Sequence, residues 1–292
     1  FIVHPKNGVL RESIASGNLD ATEIYRHLMR IVYRFLFLFT AEDRDVLLLS
    51  NTPPHQRERF EKYYSTGRLR ELADRPTSPG HSDLWDGFLA LASVFNKSGG
   101  EPELGLPELG SFLWEKQSIG LLGDSQIDNA VLLSALQDLA FIREENNLRR
   151  VDFAALGAEE LGSIYESLLE LHAVADTEHF DFVEGAGSER KISGSYYTPT
   201  ELITELLNSA LDPVLEVAVK SSNPERAILN LNIVDPACGS GHFLVAAAHR
   251  IARCLATART GEPEPSPEIT RTALRDVIGS CIYGVDLNEF AV

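Results

Sequence analysis

The chain has 292 residues, 44% of them hydrophobic, and a formal net charge of −17 at pH 7. That length allows about two domains, and the apolar fraction is ordinary for a chain with proper cores. The most apolar run, Ile31 to Phe39, contains Arg34 and falls far short of the about 20 residues a bilayer helix needs, so no membrane association is expected.

The start, Phe1-Ile2-Val3-His4-Pro5, has neither a basic leader nor an apolar core segment, and it lacks an initiator Met. No secretory signal is expected, and the chain reads as a piece of a longer protein. Cys238, Cys254 and Cys281 form no C-x-x-C pair. Sparse, unpaired cysteines fit reduced thiols in a cytoplasmic protein and argue against structural zinc. The charge is uneven: residues 101–190 hold 5 basic and 19 acidic side chains. A surface that grips DNA is basic. This segment is the reverse, so it reads as a solvated face or a face turned away from DNA.

In chain order, apolar residues at three- and four-residue steps (Ile24, Leu28, Ile31, Val32, Phe35, Leu36, Phe39) predict a helix over 20–50. Asp20 is its candidate N-cap, with Glu23 three positions on. Further helices are expected at 56–72, 84–95, 126–140 and 158–171. A polar loop with Pro76 and Pro79 lies between the first two, and 96–110 reads as an exposed glycine-rich loop. Residues 184–194 read as a linker.

The last third changes character. A helix over 200–219 follows Thr198-Pro199-Thr200, with Thr200 as candidate cap. Next come a strand at 228–235, a helix at 240–258, a proline-rich solvent loop at 261–267, a helix at 268–279 and a strand at 281–286. The fold class expected is therefore a mainly α N-terminal domain, 1–189, followed over 190–292 by the start of a doubly wound, Rossmann-like α/β domain.

The most informative stretch is Ile233 to Leu244, Ile-Val-Asp-Pro-Ala-Cys-Gly-Ser-Gly-His-Phe-Leu. An apolar run ends in Asp235, a Gly-Ser-Gly turn follows, and a helix opens at about His242. Gly239 and Gly241 let the backbone turn sharply and approach a ligand closely. The helix start adds unpaired N–H groups facing the same spot. A dinucleotide loop would need a third glycine where Leu244 stands, and the P-loop lysine is absent. His242 and His249, seven apart on one helix face, read as surface or packing residues rather than metal ligands. No Asp…Glu-x-Lys nuclease pattern stands out in residues 1–190.

The stretch resembles motif I of the amino-methylating DNA methyltransferases. Gly194-Ser195-Tyr196-Tyr197-Thr198-Pro199 resembles their motif X, and Ile282-Tyr283-Gly284-Val285-Asp286-Leu287-Asn288 their motif II. The order X, I, II is similar to the γ-type arrangement of N6-adenine methyltransferases. Residues 33–44 and 160–170 resemble segments found ahead of the methylase core in large Eco57I-like proteins. The BREX and DISARM phage-defence methylases are similar. The resemblance implies S-adenosylmethionine (SAM) as cofactor. Tyr197, Thr198, Pro199, Asp235, Pro236, Ala237, Cys238, Gly239, Ser240 and Gly241 would lie around its methionine end. Asp286 would accept the ribose diol, as a carboxylate after a second strand can, and Leu287 would face the adenine. For Asn288 a turn role and a ligand role stand equal.

The resemblance further implies that base flipping precedes methylation and that an Asn/Asp-Pro-Pro-Tyr/Phe motif holds the target amine. No such tetrapeptide occurs in these residues, so no catalytic residue is assigned. Duplex DNA is expected to be contacted through regions beyond this chain, possible partners being other proteins of the defence system. Two other readings stay open: a helical interaction scaffold with a degenerate methylase fold, and a methyltransferase acting on RNA or protein.

Overall fold

The computed structural model describes residues 1–75, 80–144, 147–157, 160, 164, 168, 171–184 and 198–287. The chain separates into two compact units: Phe1–Leu156 with His172–Val183, and Gly157–Leu171 with Glu184–Val292. Helices dominate, and the strands form small two-stranded sheets. Most of the expected helix at 158–171, the loop residues 76–79 and most of the 184–194 linker lie outside the described residues.

The first unit is organised by helix α2, Ala21–Asp43, which follows the short α1, Gly8–Ala15. The Asp20 side chain accepts the Glu23 N–H, as the cap expectation required. Of the stripe the spacing indicated, Ile24, Ile31, Phe35, Leu36 and Phe39 are buried and Leu28 and Val32 half-buried, while Leu38 is buried outside it. The helix ends at Asp43 rather than at 50, because Asp45 adopts a positive φ of 51° and turns the chain away. The helix expected over 56–72 is two helices, α3 (Pro54–Tyr63) and α4 (Thr66–Ala73). Ser65 separates them: its hydroxyl accepts the Arg68 N–H and starts the second helix. Helices α5, Asp83–Val94, and α6, Asn129–Ala140, match their expected positions closely. The 96–110 segment is not wholly exposed, since Leu104 and Leu106 are buried in the core. Strands β1 (Phe141–Glu144) and β2 (Asn147–Arg150) form an antiparallel hairpin, and β3 (Leu171–Ala175) pairs with β4 (Phe180–Glu184). Neither pair is expected from the sequence pattern.

Two buried arginines stitch this unit. Arg34, 1% exposed, donates to the carbonyls of Leu113 (2.7 Å) and Glu115 (2.8 Å) and to the Ser118 hydroxyl (2.9 Å). Burial pulls its pKa down to about 10, so it stays charged near neutral pH. Arg70 makes a fork to Asp43 at 3.0 and 2.8 Å and lies over the Phe39 ring. The neighbouring Glu42 carboxylate accepts the Thr66 and Gly67 N–H groups, both at 2.8 Å, and so caps α4 from another helix.

In the second unit the helix expected over 200–219 is interrupted. It runs as α7 (Thr200–Leu206), a π turn (Leu207–Leu211) and α8 (Asp212–Val219). Pro213 cannot donate an N–H to the α-helical ladder, and the backbone widens just before it. Thr200 is the first helical residue, so Pro199 holds the cap position. Residues 224–229 form helix α9 (Pro224–Leu229), capped by the Asn223 side chain on Arg226 N. The strand expected over 228–235 is thus only β5, Ile233–Asp235. Helix α10, His242–Thr260, ends at Gly261 with φ 73°. Helix α11, Pro267–Cys281, starts from the Ser266 hydroxyl, and β6, Ile282–Gly284, follows it.

Strands β5 and β6 pair in parallel, with Ile233 opposite Ile282, Val234 opposite Tyr283 and Asp235 opposite Gly284. The core of this unit combines Ala247, Ala248, Ile251, Ala252, Leu255 and Ala256 of α10 with Ala273, Val277 and Cys281 of α11. The alanines let the two helix backbones approach closely. Arg259 joins Glu225 and Asp276, both at 2.7 Å, which ties α10 to α9 and α11.

Candidate functional site

The parallel register decides what meets at the C-terminal ends of β5 and β6. It places the chain leaving β6 beside the chain leaving β5. Val285 N donates to the Asp235 carbonyl at 2.9 Å, and Cys238 N donates to the Val285 carbonyl at 3.0 Å. These two bonds extend the strand pairing past its last residue and into the glycine turn. Within the turn, Gly241 N donates to the Cys238 carbonyl at 2.8 Å, and Val245 N to the Gly241 carbonyl at 2.8 Å. Ala237 N donates to the Asp235 carboxylate at 3.1 Å, which fixes that side chain against the start of the turn.

Gly239 has φ 51° and Gly241 φ 79°, both left-handed, and this is why glycine stands there. Gly241 is the N-cap of α10, so the first N–H groups of that helix face the turn. A Cβ placed on Gly239 or Gly241 would meet nothing within 4 Å, so this side of the turn is open. The Asp286 carboxylate reaches back across the turn and accepts the Gly239 N–H at 2.8 Å.

The structure therefore joins Asp235, Ala237, Cys238, Gly239, Gly241 and Asp286 by hydrogen bonds. Pro236 and Ser240 lie in the same turn as exposed residues. Leu287 is fully exposed immediately after Asp286. Thr198 and Pro199 enter as the approach to α7, where the Pro199 carbonyl accepts Leu202 and Ile203 N–H groups. Tyr197 and Asn288 lie outside the described residues.

Two residues of the site do not stand out in the sequence. Val285 contributes only backbone groups, which no side-chain pattern reveals. Gly284 falls inside the third motif, yet the motif gives it no role. A Cβ there would lie 2.8 Å from Leu244 Cδ1 and 3.0 Å from Cys238 Sγ. Glycine inside a strand is the available signal, since it marks close approach of another chain segment.

Cys238 packs beneath the turn. Burial first, then the nearby Asp286 and Asp235 charges, push its thiol above the ordinary cysteine range. A raised pKa keeps the thiol protonated near neutral pH, and the thiolate is the reactive form. At pH 8, iodoacetamide should modify Cys238 more slowly than a cysteine in an unstructured peptide, with the rate rising at higher pH. Peptide mass spectrometry reads this directly, and equal rates for the two thiols would count against the packing described.

An open apolar cleft of about 440 Å³ runs beside β5, lined among others by Leu207, Leu211, Val214, Val234 and Phe243. Among the described residues no helix is long and apolar enough to cross a membrane, and no group of three or more His, Cys, Asp or Glu is placed to hold a metal ion.

The N-6 DNA Methylase family model matches residues 157–289. The chain is 28% identical over 196 residues to the Adenine-specific methyltransferase PglX of Streptomyces coelicolor (strain ATCC BAA-471 / A3(2) / M145). That alignment covers 61% of this chain and 14% of the relative, so the chain spans about a seventh of that protein's length. No solved structure matches. The strand, glycine turn, helix and returning strand all fall inside the stretch that the N-6 DNA Methylase model matches.

Proposed function

We propose that this chain is the cofactor-holding part of a site-specific DNA adenine-N6 methyltransferase. The motif order suggests the γ type, acting in restriction–modification or phage defence. The family match and the name of the S. coelicolor relative support the activity. The observation that carries the site is the parallel β5–β6 pair, which brings the Asp286 carboxylate onto the glycine turn. The domain reading stays a proposal: a helical part over 1–189, and over 190–292 the opening of a doubly wound α/β domain.

The residues present fit SAM. The open side of Gly239 and Gly241 leaves room for a ligand against the backbone, and the start of α10 offers N–H donors to its carboxylate end. Asp235 and the turn through Pro236, Ala237, Cys238, Gly239, Ser240 and Gly241 would hold the methionine end, together with Tyr197, Thr198 and Pro199. Asp286 would accept the ribose hydroxyls, and the exposed Leu287 would cover the adenine. When bound, SAM supplies a methyl group on a positively charged sulfur. The chain's own residues bind and orient. Duplex DNA would be engaged through regions beyond this chain, in the cytoplasm.

Calorimetric titration of the full-length protein with SAM and with its demethylated product tests the reading. Both should bind, and tritiated methyl should transfer from SAM to adenine N6 in duplex DNA. Asp286→Ala should weaken binding by about 30- to 1000-fold, the loss of a charge-assisted pair of hydrogen bonds worth about 2–4 kcal/mol. A wild-type protein that binds neither ligand would leave a scaffold with a methylase-like fold as the better description.

A further inference from the structure

We infer that the exit of β6, Gly284 to Asp286, is a template that holds the ligand-free glycine turn in shape, with Asp286 as a positioning residue for Gly239. The inference rests on the cofactor reading above for its purpose, but on this chain's own contacts for its substance.

Three consecutive residues each touch the turn or the helix it opens. Gly284 lets Cys238 and Leu244 pack where a Cβ would stand, at 3.0 Å from Sγ and 2.8 Å from Cδ1. Val285 exchanges backbone bonds with both sides of the turn's entry, giving its N–H to Asp235 and taking that of Cys238. Asp286 accepts the N–H of Gly239 at 2.8 Å, across 47 residues of sequence.

The turn has reason to need such support. Gly239 and Gly241 are the residues with the widest choice of backbone conformation, and both sit at positive φ. A free Gly-Ser-Gly segment would sample many shapes, and a ligand would have to select one of them. The Asp286 bond acts on Gly239, between the two ends that backbone pairing already fixes. The carboxylate thus has two tasks. One is to face the ligand's diol. The other is to hold the turn before any ligand arrives. A carboxylate has lone pairs enough for both, because each oxygen accepts more than one hydrogen bond.

The two tasks separate experimentally. Amide hydrogen exchange of the ligand-free, full-length protein, resolved at Gly239, reads the template alone. Asp286→Ala should speed Gly239 exchange by about tenfold or more, with α10 amides unchanged. Asp286→Asn keeps a carbonyl acceptor and should restore most of the protection. An unchanged Gly239 in the Ala variant would overturn the inference. So would equal acceleration of the turn and of α10, which would mark a general loss of structure. A second arm uses the demethylated cofactor and its 2′,3′-dideoxy form. If Asp286 only receives the diol, Asp286→Ala weakens the first ligand and leaves the second as in wild type, and the inference fails. As a template residue, its loss weakens both. Should the wild type bind neither ligand, the cofactor reading falls, while the exchange result still decides the template.

Discussion

Arg34→Met should lower the unfolding free energy of the helical unit by about 3–5 kcal/mol, through lost charge-assisted hydrogen bonds. Methionine keeps most of the volume and the apolar stem but offers no donor. The Leu113 and Glu115 carbonyls and the Ser118 hydroxyl, which Arg34 serves at 2.7–2.9 Å, would lose that partner in the interior. Each lost bond to the charged guanidinium is worth about 1.5–3 kcal/mol, less at the two carbonyls, because Leu113 keeps the Ser118 hydroxyl and Glu115 the Ser118 N–H as donors. Both tryptophans of the chain, Trp85 and Trp114, are buried in this unit, so a urea melt followed by their fluorescence isolates it. A shift below about 1 kcal/mol would mean that the 113–118 segment holds its place without the arginine.

Gly241→Val should abolish cofactor binding and leave that same fluorescence melt unchanged. At φ 79° a β-branched residue is strained by about 1–3 kcal/mol. Relief by returning to negative φ would pull apart the bonds from Gly241 N to Cys238 and from Val245 N to Gly241. The side chain would also fill the room the turn leaves open. Strain alone gives about a 5- to 150-fold loss of affinity, and the blocked space takes it further. SAM titration and circular dichroism on one sample separate lost binding from lost fold. Full affinity in the variant would remove the turn from the site.

Much of this site is legible in the amino-acid sequence, and the reason is local chemistry. Left-handed backbone, a tight turn and a helix start each demand particular residues within a few positions, and Asp235 to Gly241 supply them. The α2 stripe and its Asp20 cap are legible for the same reason. What escapes depends on partners distant in sequence. Ile228 and Leu229 look like strand residues beside Leu231 and Ile233, yet the Asn223 cap and Pro224 start a helix that carries Ile228 into the core. Ser65 divides a stretch whose apolar spacing reads as one helix, and α4 gains its cap from Glu42, more than twenty residues upstream. The strand pairs at 141–150 and 171–184 alternate too weakly to announce themselves. Gly284 and Val285 matter through what lies opposite them, which only the β5–β6 register reveals.

The 47-residue span between Gly239 and Asp286 sets an order of events at the ribosome. At about 5–20 residues per second, the glycine turn emerges some 2–9 s before the carboxylate that holds it. Helix α10 can form in that interval, but β5 has no β6 to pair with, and its apolar residues wait uncovered. The proposed cofactor site is therefore completed late, when α11 packs on α10 and delivers the end of β6. A chain interrupted within the 261–267 loop would carry the glycine turn without the Val285 backbone and the Asp286 carboxylate that bond to it.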